Sequence, residues 1–155
     1  MRKPVAVLLH NIRSAHNVGS IFRTGDGAGV SKVFLSGYTP QLVDRFGRVQ
    51  KEIAKTALGA EKTIPSEYQK NPYAILAALR KGGWHIAALE QDERSIDYRK
   101  FKLKKPTLFI LGNEVKGISK ALLNKCDSIL EIPMSGKKES LNVSVAAGVM
   151  LFSIR

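Results

Sequence analysis

Five polar side chains stand where the chain passes between predicted strands and helices, and their types suit the binding of a phosphate or a hydroxyl group. Asn17 and Arg23 lie in NIRSAHNVGSIFRT, Glu114 lies in LGNEVKGIS, and Ser140 and Asn142 lie in KKESLN. A guanidinium binds phosphate with a fixed geometry, and a carboxylate can accept a hydrogen bond from a substrate hydroxyl. The set is therefore a candidate site for a polar, partly anionic substrate.

Each of these residues also has a purely structural explanation. Asn17 can cap the helix near whose start it lies, and Glu114 can be a solvated turn carboxylate. Ser140 and Asn142 can cap the last helix, or they can face a ligand. Arg23 follows two apolar residues, which predicts partial burial and a carboxylate or phosphate partner, with Glu114 a candidate. The residue types alone leave both interpretations open.

The elements that position these side chains follow from hydrophobic periodicity and from glycine and proline punctuation. Short apolar runs rich in β-branched residues predict strands at 4–10, 32–37, 84–90, 106–112 and 128–133. Helical spacing predicts helices at 16–29, 48–60, 71–83, 119–125 and about 141–153. Strands thus alternate with helices, which predicts an α/β domain with a mostly parallel sheet.

Three polar segments directly follow predicted strands. They are LEQDE, LGNEVKGIS and EIPMSGKKESLN. Ligands of open α/β sheets bind beyond the carboxyl ends of the strands, so we expect these segments to converge at one edge of the sheet.

Composition favours one globular domain with a polyanionic partner. The chain has 155 residues, 44% of them hydrophobic, and a formal net charge of +12. Residues 1–60 hold nine Lys and Arg against three Asp and Glu, a net charge of +6 in this part alone. The imbalance points to nucleic acid, with the N-terminal part as the more basic surface. No apolar run approaches the length of a membrane span, so we expect no membrane partner.

The cysteine and histidine content predicts neither a disulfide nor a metal site. The single cysteine, Cys126, fits a reducing cytoplasm and a place in the core. His10, His16 and His85 show no metal-ligand spacing.

The glycines of GDGAG (25–29) are close to a dinucleotide-binding fingerprint, but their context is reversed. The fingerprint requires a loop that follows a strand and opens a helix. Here the glycines follow a helical stretch and precede a strand. We interpret them as a helix stop and a tight turn.

Three stretches together carry a family resemblance. NIRSAHNVGSIFRTGDGAGV, LFILGNEVKGIS and EIPMSGKKESLNVSVAAGV resemble the three motifs of the SpoU (TrmH) group of the SPOUT superfamily, in the same order. Members are RNA ribose 2′-O-methyltransferases that use S-adenosylmethionine. The resemblance implies a C-terminal trefoil knot that holds the cofactor, and a homodimer with active-site residues near its interface.

The resemblance also assigns roles to residues of this chain. The motif residues expected to act in catalysis are Asn17, Arg23, Glu114, Ser140 and Asn142. Cofactor contacts are expected from Leu89, Leu111, Gly112, Ile132, Met134, Ser140 and Leu141. RNA contacts are expected from Arg13, Arg23, Lys137 and Lys138.

More than one interpretation is open for the RNA substrate and for the reaction. The first motif resembles that of relatives that modify guanosine in tRNA and in large-subunit rRNA more than that of the compact wobble-position enzymes. Of the two RNA classes, tRNA is favoured over rRNA, and residues 1–155 are expected to form one methyltransferase domain without an appended RNA-binding domain. A catalytically silent RNA-binding or ribosome-assembly protein, and an enzyme that methylates a base, are the competing interpretations.

Overall fold

The computed structural model describes residues 1–154. Its elements, in chain order, are β1 (Val5–His10), α1 (Ala15–Ala28), β2 (Lys32–Ser36), α2 (Lys51–Ala57), α3 (Ala60–Thr63), β3 (Ser66–Tyr68), α4 (Pro72–Lys81), β4 (His85–Leu89), β5 (Ile96–Asp97), β6 (Thr107–Leu111), α5 (Lys120–Leu123), β7 (Ser128–Glu131) and α6 (Val143–Ser153).

The strands form one seven-stranded sheet in the order β3-β2-β1-β6-β4-β7-β5, and every pair in it is parallel. The prediction of an α/β fold with a mostly parallel sheet is confirmed. All five predicted strands form. The two strands that the sequence did not reveal, β3 and β5, are only three and two residues long and lie at the two edges of the sheet. Such short strands carry too little pattern to be recognised.

Helices cover both faces of the sheet. Successive residues of β1 point to opposite faces, and the residues on both faces are buried. Val5, Val7 and Leu9 pack with α1, α2, α3 and α6 on one face. Ala6 and Leu8 pack with α4 and α5 on the other. A parallel sheet buried on both faces needs apolar residues at successive positions, which is why β1 reads as a continuous apolar run.

The end of α1 agrees with the sequence prediction, whereas two other helix boundaries differ from it. α1 continues through the first two glycines of GDGAG and stops at Gly29, its C-cap, whose φ is 75°. The predicted helix at 48–60 begins later and is divided into α2 and α3, because Leu58 and Gly59 adopt left-handed conformations. α6 begins at Val143 and not at Leu141, because Asn142 is its N-cap.

No helix in residues 1–154 combines the length and apolar character needed to span a membrane.

Candidate active site

The segments that follow β4, β6 and β7 meet at the carboxyl edge of the sheet, as predicted, and enclose a cleft of about 410 Å³. β6, β4 and β7 are neighbours in the sheet although they are far apart in sequence. The strand order therefore creates the cleft, and the turn residues shape it.

All seven residues that the resemblance assigns to the cofactor line this cleft: Leu89, Leu111, Gly112, Ile132, Met134, Ser140 and Leu141. The lining also includes residues that the motifs did not single out, among them Glu90, Asp92, Asn113, Lys116, Glu131 and Glu139. Glu90 could have been identified from the sequence, because it is the last residue of the predicted strand at 84–90 and the first residue after β4.

The loop after β6 is folded tightly against itself and against Glu90. A Cβ at Gly112 would lie 2.5 Å from Cγ1 of Ile118 and 2.8 Å from the carbonyl carbon of Gly117, so only glycine fits there. The N–H of Ile118 donates to Oε2 of Glu90 at 2.8 Å, and Glu90 Oε1 accepts from the N–H of Gln91. Glu90 thus joins the loops after β4 and β6 into one wall of the cleft.

Glu114 reaches back to the start of α1. Its Oε2 accepts from the N–H of Arg13 at 3.0 Å, and its Oε1 accepts from the N–H of Ser14 and from Nδ2 of Asn17, both at 3.1 Å. Partial burial acts to raise the pKa of Glu114. The hydrogen bonds outweigh that effect, so the pKa lies below its ordinary value. The first turn of α1 contains no acidic residue, and Glu114 places a carboxylate at that positive helix end.

Asn142 has two roles at once. Its Oδ1 caps α6 by accepting from the N–H groups of Ser144 and Val145, at 2.8 and 3.4 Å. Its Nδ2 donates to Oδ1 of Asn17 at 3.3 Å. The capping interpretation of Asn142 is therefore confirmed, whereas its contact with a ligand stays a prediction. Asn142, Asn17 and Glu114 form one hydrogen-bonded chain beside the cleft.

Two of the capping roles that the sequence left open do not occur. Ser14, and not Asn17, is the N-cap of α1, and its Oγ accepts from the N–H of Asn17 at 3.2 Å. Ser140 does not cap α6, since it lies two residues before the N-cap and lines the cleft instead.

The prediction that Arg23 is partly buried and pairs with Glu114 was wrong. The side chain is exposed, and no described residue forms an ion pair or a hydrogen bond with it. Glu114 is already engaged with the start of α1. Arg23 lies six residues after Asn17 in α1. At about 100° per residue, this spacing corresponds to one full turn plus about 240°, so Arg23 points away from the helix face that carries Asn17. It does not line the cleft.

Lys137 and Lys138, which the resemblance assigns to RNA, are exposed. They line neither this cleft nor the groove beside it. Arg13 lines a second, open groove together with Tyr38, Asn113, Val115 and Lys116. The last three of these also line the first cleft. The two depressions are therefore adjacent. Among residues 1–154 no group of three or more histidine, cysteine or acidic side chains is arranged to hold a metal ion.

Several known proteins are similar to this chain in sequence and in architecture. The chain is 32% identical over 151 residues to the tRNA (guanosine(18)-2′-O)-methyltransferase of Aquifex aeolicus, which covers 97% of this chain and 68% of that protein. It is 33% identical over 152 residues to a 23S rRNA (guanosine-2′-O-)-methyltransferase of Pseudomonas aeruginosa, covering 97% and 58%. A crystal structure of an AdoMet-bound rRNA methyltransferase from Sinorhizobium meliloti superposes with a TM-score of 0.89 at 30% identity, covering 99% of this chain and 56% of that one.

The chain spans little more than half the length of several of these relatives. The SpoU rRNA Methylase family matches residues 4–152. A match over nearly the whole chain, with relatives above 30% identity, shows that the chain belongs to the SpoU rRNA methylase family.

Proposed function

We propose that this chain transfers the methyl group of S-adenosylmethionine to a ribose 2′-hydroxyl of RNA. The observation that carries the proposal is the juxtaposition of the cleft with the Asn142–Asn17–Glu114 chain. A cofactor-sized depression and a set of oriented polar groups meet at one edge of the sheet. The names of the two curated relatives support ribose methylation of guanosine in particular.

The cleft fits the cofactor in size and in charge. A volume of about 410 Å³ lies within the range typical of small-molecule sites. Its apolar walls, formed by side chains such as Leu89, Leu111 and Ile132, suit the adenine ring. Its ionisable lining contains five carboxylates and two lysines, a net charge of −3 within a chain of net charge +12. That local excess favours a ligand with a sulfonium and an ammonium group.

When bound, S-adenosylmethionine supplies an electrophilic methyl group, and the residues of this chain orient the acceptor. We propose that Arg23 binds the phosphate next to the target ribose and stabilises the developing alkoxide. A guanidinium stays protonated in proteins, so Arg23 is not the base. The hydroxyl proton leaves to phosphate or to water.

Arg23→Lys should lower turnover about 10²- to 10³-fold, the loss typical of removing one oxyanion donor. Near-full turnover of this variant would refute the bidentate role.

Arg23 does not line the cleft of its own chain, and this supports a homodimer. α6 is apolar on all sides, and Val145 is 51% exposed although it lies in that helix. A helix without a polar face is normally buried. We propose that a second copy covers α6 and the neighbouring face of α1, which brings Arg23 of one copy to the cleft of the other.

Val145→Glu should shift the sedimentation coefficient of the protein from that of a dimer to that of a monomer. An unchanged coefficient would argue against this interface.

The trefoil knot implied by the resemblance stays a prediction. Residues 132–142, which connect β7 with α6, are the segment that would form it. Two hydrogen bonds hold this segment to distant parts of the chain, from Nε2 of Gln91 to the carbonyl of Glu139 and from Asn142 to Asn17.

The test is methyl transfer from labelled S-adenosylmethionine to unmodified bulk tRNA and, separately, to rRNA, followed by alkaline hydrolysis. Cleavage by alkali needs a free 2′-hydroxyl, so label in alkali-resistant dinucleotides would support the proposal and identify the RNA class. We expect tRNA to be labelled more strongly than rRNA. Label in mononucleotides would mean base methylation. Absence of S-adenosylmethionine binding would favour a silent RNA-binding protein.

A further inference from the structure

The groove beside the cleft is lined by Arg13, Tyr38, Asn113, Val115 and Lys116. It lies over the carboxyl ends of β1, β2 and β6, the side of the sheet away from β7. Because three of its residues also line the first cleft, a molecule in this groove would abut a molecule in that cleft.

Tyr38 is held at both ends while its ring stays open to solvent. Its backbone N–H donates to Oδ1 of Asn11 at 3.1 Å, and its hydroxyl accepts from Nδ2 of Asn113 at 2.9 Å. The residue is nevertheless 57% exposed. Its hydroxyl is thus engaged within the protein, and the free part of the side chain is the apolar ring face. A fixed, exposed aromatic ring is preorganised to bind a flat ligand.

Asn113 is a rigid support for this arrangement. Besides the bond to Tyr38, its Nδ2 donates to the carbonyl of Asn11 at 3.0 Å. Its Oδ1 accepts from the N–H groups of Val115 and Lys116 at 2.9 and 2.8 Å. All four hydrogen-bonding positions of this buried amide are therefore used. Through these hydrogen bonds, Asn113 connects the loop after β6 with the loops after β1 and β2.

The backbone around Tyr38 is constrained as well. Asn11 adopts a left-handed conformation with φ of 57°, which is unfavourable for a residue other than glycine. A Cβ at Gly37 would overlap the Asn11 side chain, so glycine is needed for Asn11 to reach Tyr38. The hydroxyl of Tyr68 donates to the carbonyl of Gly37 at 2.7 Å. Strained or tightly constrained loops of this kind cluster at ligand-binding sites.

Two cationic residues, Arg13 and Lys116, line the same groove as the ring. The N–H of Arg13 and the N–H of Lys116 are bound by side chains of the site, but neither charged end pairs with any described residue. An aromatic ring and two unpaired cations in one groove are the combination that binds a nucleobase together with its phosphates.

We propose that Tyr38 is the platform on which a nucleobase of the RNA substrate stacks, at or next to the nucleotide whose ribose is methylated. Arg13 and Lys116 contact the adjoining phosphates. The inference rests on the proposed function and assigns the place of the base relative to the cofactor cleft. Stacking on an aromatic ring tolerates any base, so Tyr38 supplies affinity and orientation, and other groups select the sequence.

The first experiment compares wild-type protein, Tyr38→Ala, Tyr38→Phe and Tyr38→Trp in methyl transfer to unmodified bulk tRNA and rRNA. Tyr38→Ala should lower kcat/KM about 10- to 100-fold, the loss typical of removing a stacking side chain. Tyr38→Phe and Tyr38→Trp keep a ring and should stay within about fivefold of wild type, as an expectation from the same stacking contact. The dissociation constant of S-adenosylmethionine, measured by calorimetry, should be the same for all four proteins.

A matched control is Tyr73→Ala. Tyr73 is 39% exposed and lies in the first turn of α4, on the opposite face of the sheet from α1. Its loss should leave kcat/KM unchanged. If Tyr38→Phe lost as much activity as Tyr38→Ala, the bond to Asn113 and not the ring would matter, and the platform would be refuted. Equal activity of Tyr38→Ala and wild type would refute it as well. A wild-type protein without any transfer would instead contradict the proposed function.

A second measurement does not depend on turnover. RNA substituted with 4-thiouridine can be photocrosslinked to the protein, which is then digested with trypsin. The expected crosslink lies on the peptide of residues 33–45, which contains Tyr38. Crosslinks confined to other peptides would place the RNA elsewhere and overturn the inference.

Discussion

The side-chain amide of Asn142 donates to Oδ1 of Asn17, at 3.3 Å, across 125 residues of sequence. The direction of this bond is determined from both ends. Oδ1 of Asn142 is occupied by the N–H groups of α6, and Glu114 can only accept from Nδ2 of Asn17. Reversal of either amide would bring two donors or two acceptors together. The chain of bonds therefore holds α1, α6 and the loop after β6 in one relative position.

Replacing Asn142 by Asp should separate its two roles. Asp keeps an oxygen that caps α6, but it loses the donor to Asn17 and brings a negative charge towards Oδ1 of that residue. We expect methyl transfer to fall at least tenfold, while the free energy of unfolding changes by less than about 1 kcal/mol, because Asp and Asn are similar N-caps. Denaturant unfolding and initial rates measure the two effects.

The matched variant Asn142→Ala removes both the cap and the link. It should destabilise the protein by about 0.5–2 kcal/mol, the usual cost of losing an N-cap, with activity as low as in the Asp variant. Full activity of either protein would show that the Asn17 contact does not serve catalysis.

Glu114→Gln should destabilise the protein at neutral pH by about 1–3 kcal/mol, because two backbone N–H groups and an amide lose a charged acceptor. The pKa of Glu114 is lowered in the folded protein. Its contribution is therefore present above the ordinary carboxyl pKa and is lost as the pH falls through the folded pKa. The difference between wild type and the variant should shrink from pH 6 to pH 3.

The control for this pH profile is Glu93→Gln, since Glu93 is exposed and makes no hydrogen bond in the described chain. Its free energy of unfolding at pH 6 should match that of wild type, because no hydrogen bond is lost. A pH-independent gap between wild type and Glu114→Gln would disprove the stabilising role of the carboxylate charge.

Gly112→Ala should weaken binding of S-adenosylmethionine more than tenfold. The added methyl group would meet Ile118 and the backbone of Gly117, and backbone cannot move aside as a flexible side chain can. Gly136→Ala is the comparison, because a Cβ there meets nothing within 4 Å. Calorimetric titration should give a wild-type dissociation constant for Gly136→Ala. Equal affinities of the two variants would show that the loop after β6 does not shape the cofactor site.

Acidification should destabilise the protein partly through His10. Burial lowers the pKa of His10, whose Nδ1 lies 2.8 Å from Oγ of Ser36. The unfolded chain therefore takes up this proton at a higher pH than the folded one. Stability is full above the ordinary histidine pKa and declines as the pH falls below about 6.5.

His10→Asn should flatten this decline without abolishing it, because burial also lowers the pKa of His85. Unfolding free energies of both proteins at pH 7.5 and pH 5.5 measure the difference. Identical slopes would exclude His10 as a contributor.

Much of the fold was predictable because it depends on local pattern. Apolar runs buried on both faces predicted five strands, and the resemblance in three short motifs led to seven cleft-lining residues. Asn17 and Arg23 show where local reasoning failed. The sequence correctly placed a helix start near Asn17. The N-cap, however, is Ser14, about one helical turn before Asn17. The apolar neighbours of Arg23 indicated the core, whereas the helical rotation of 100° per residue carries Arg23 outside.

The sequence by itself determined the order of strands and helices, the basic character of the chain and the chemical types available at each strand end. The convergence of three strand ends was also predictable, but only the tertiary structure decided that the loop after β6 contacts the start of α1 as well. β6 lies between β1 and β4, so a carboxylate at position 114 reaches the start of α1. The physical reason is that residue spacing sets local conformation, whereas contacts between Asn142, Asn17 and Glu114 depend on strand order and on how two helices pack across the same sheet face.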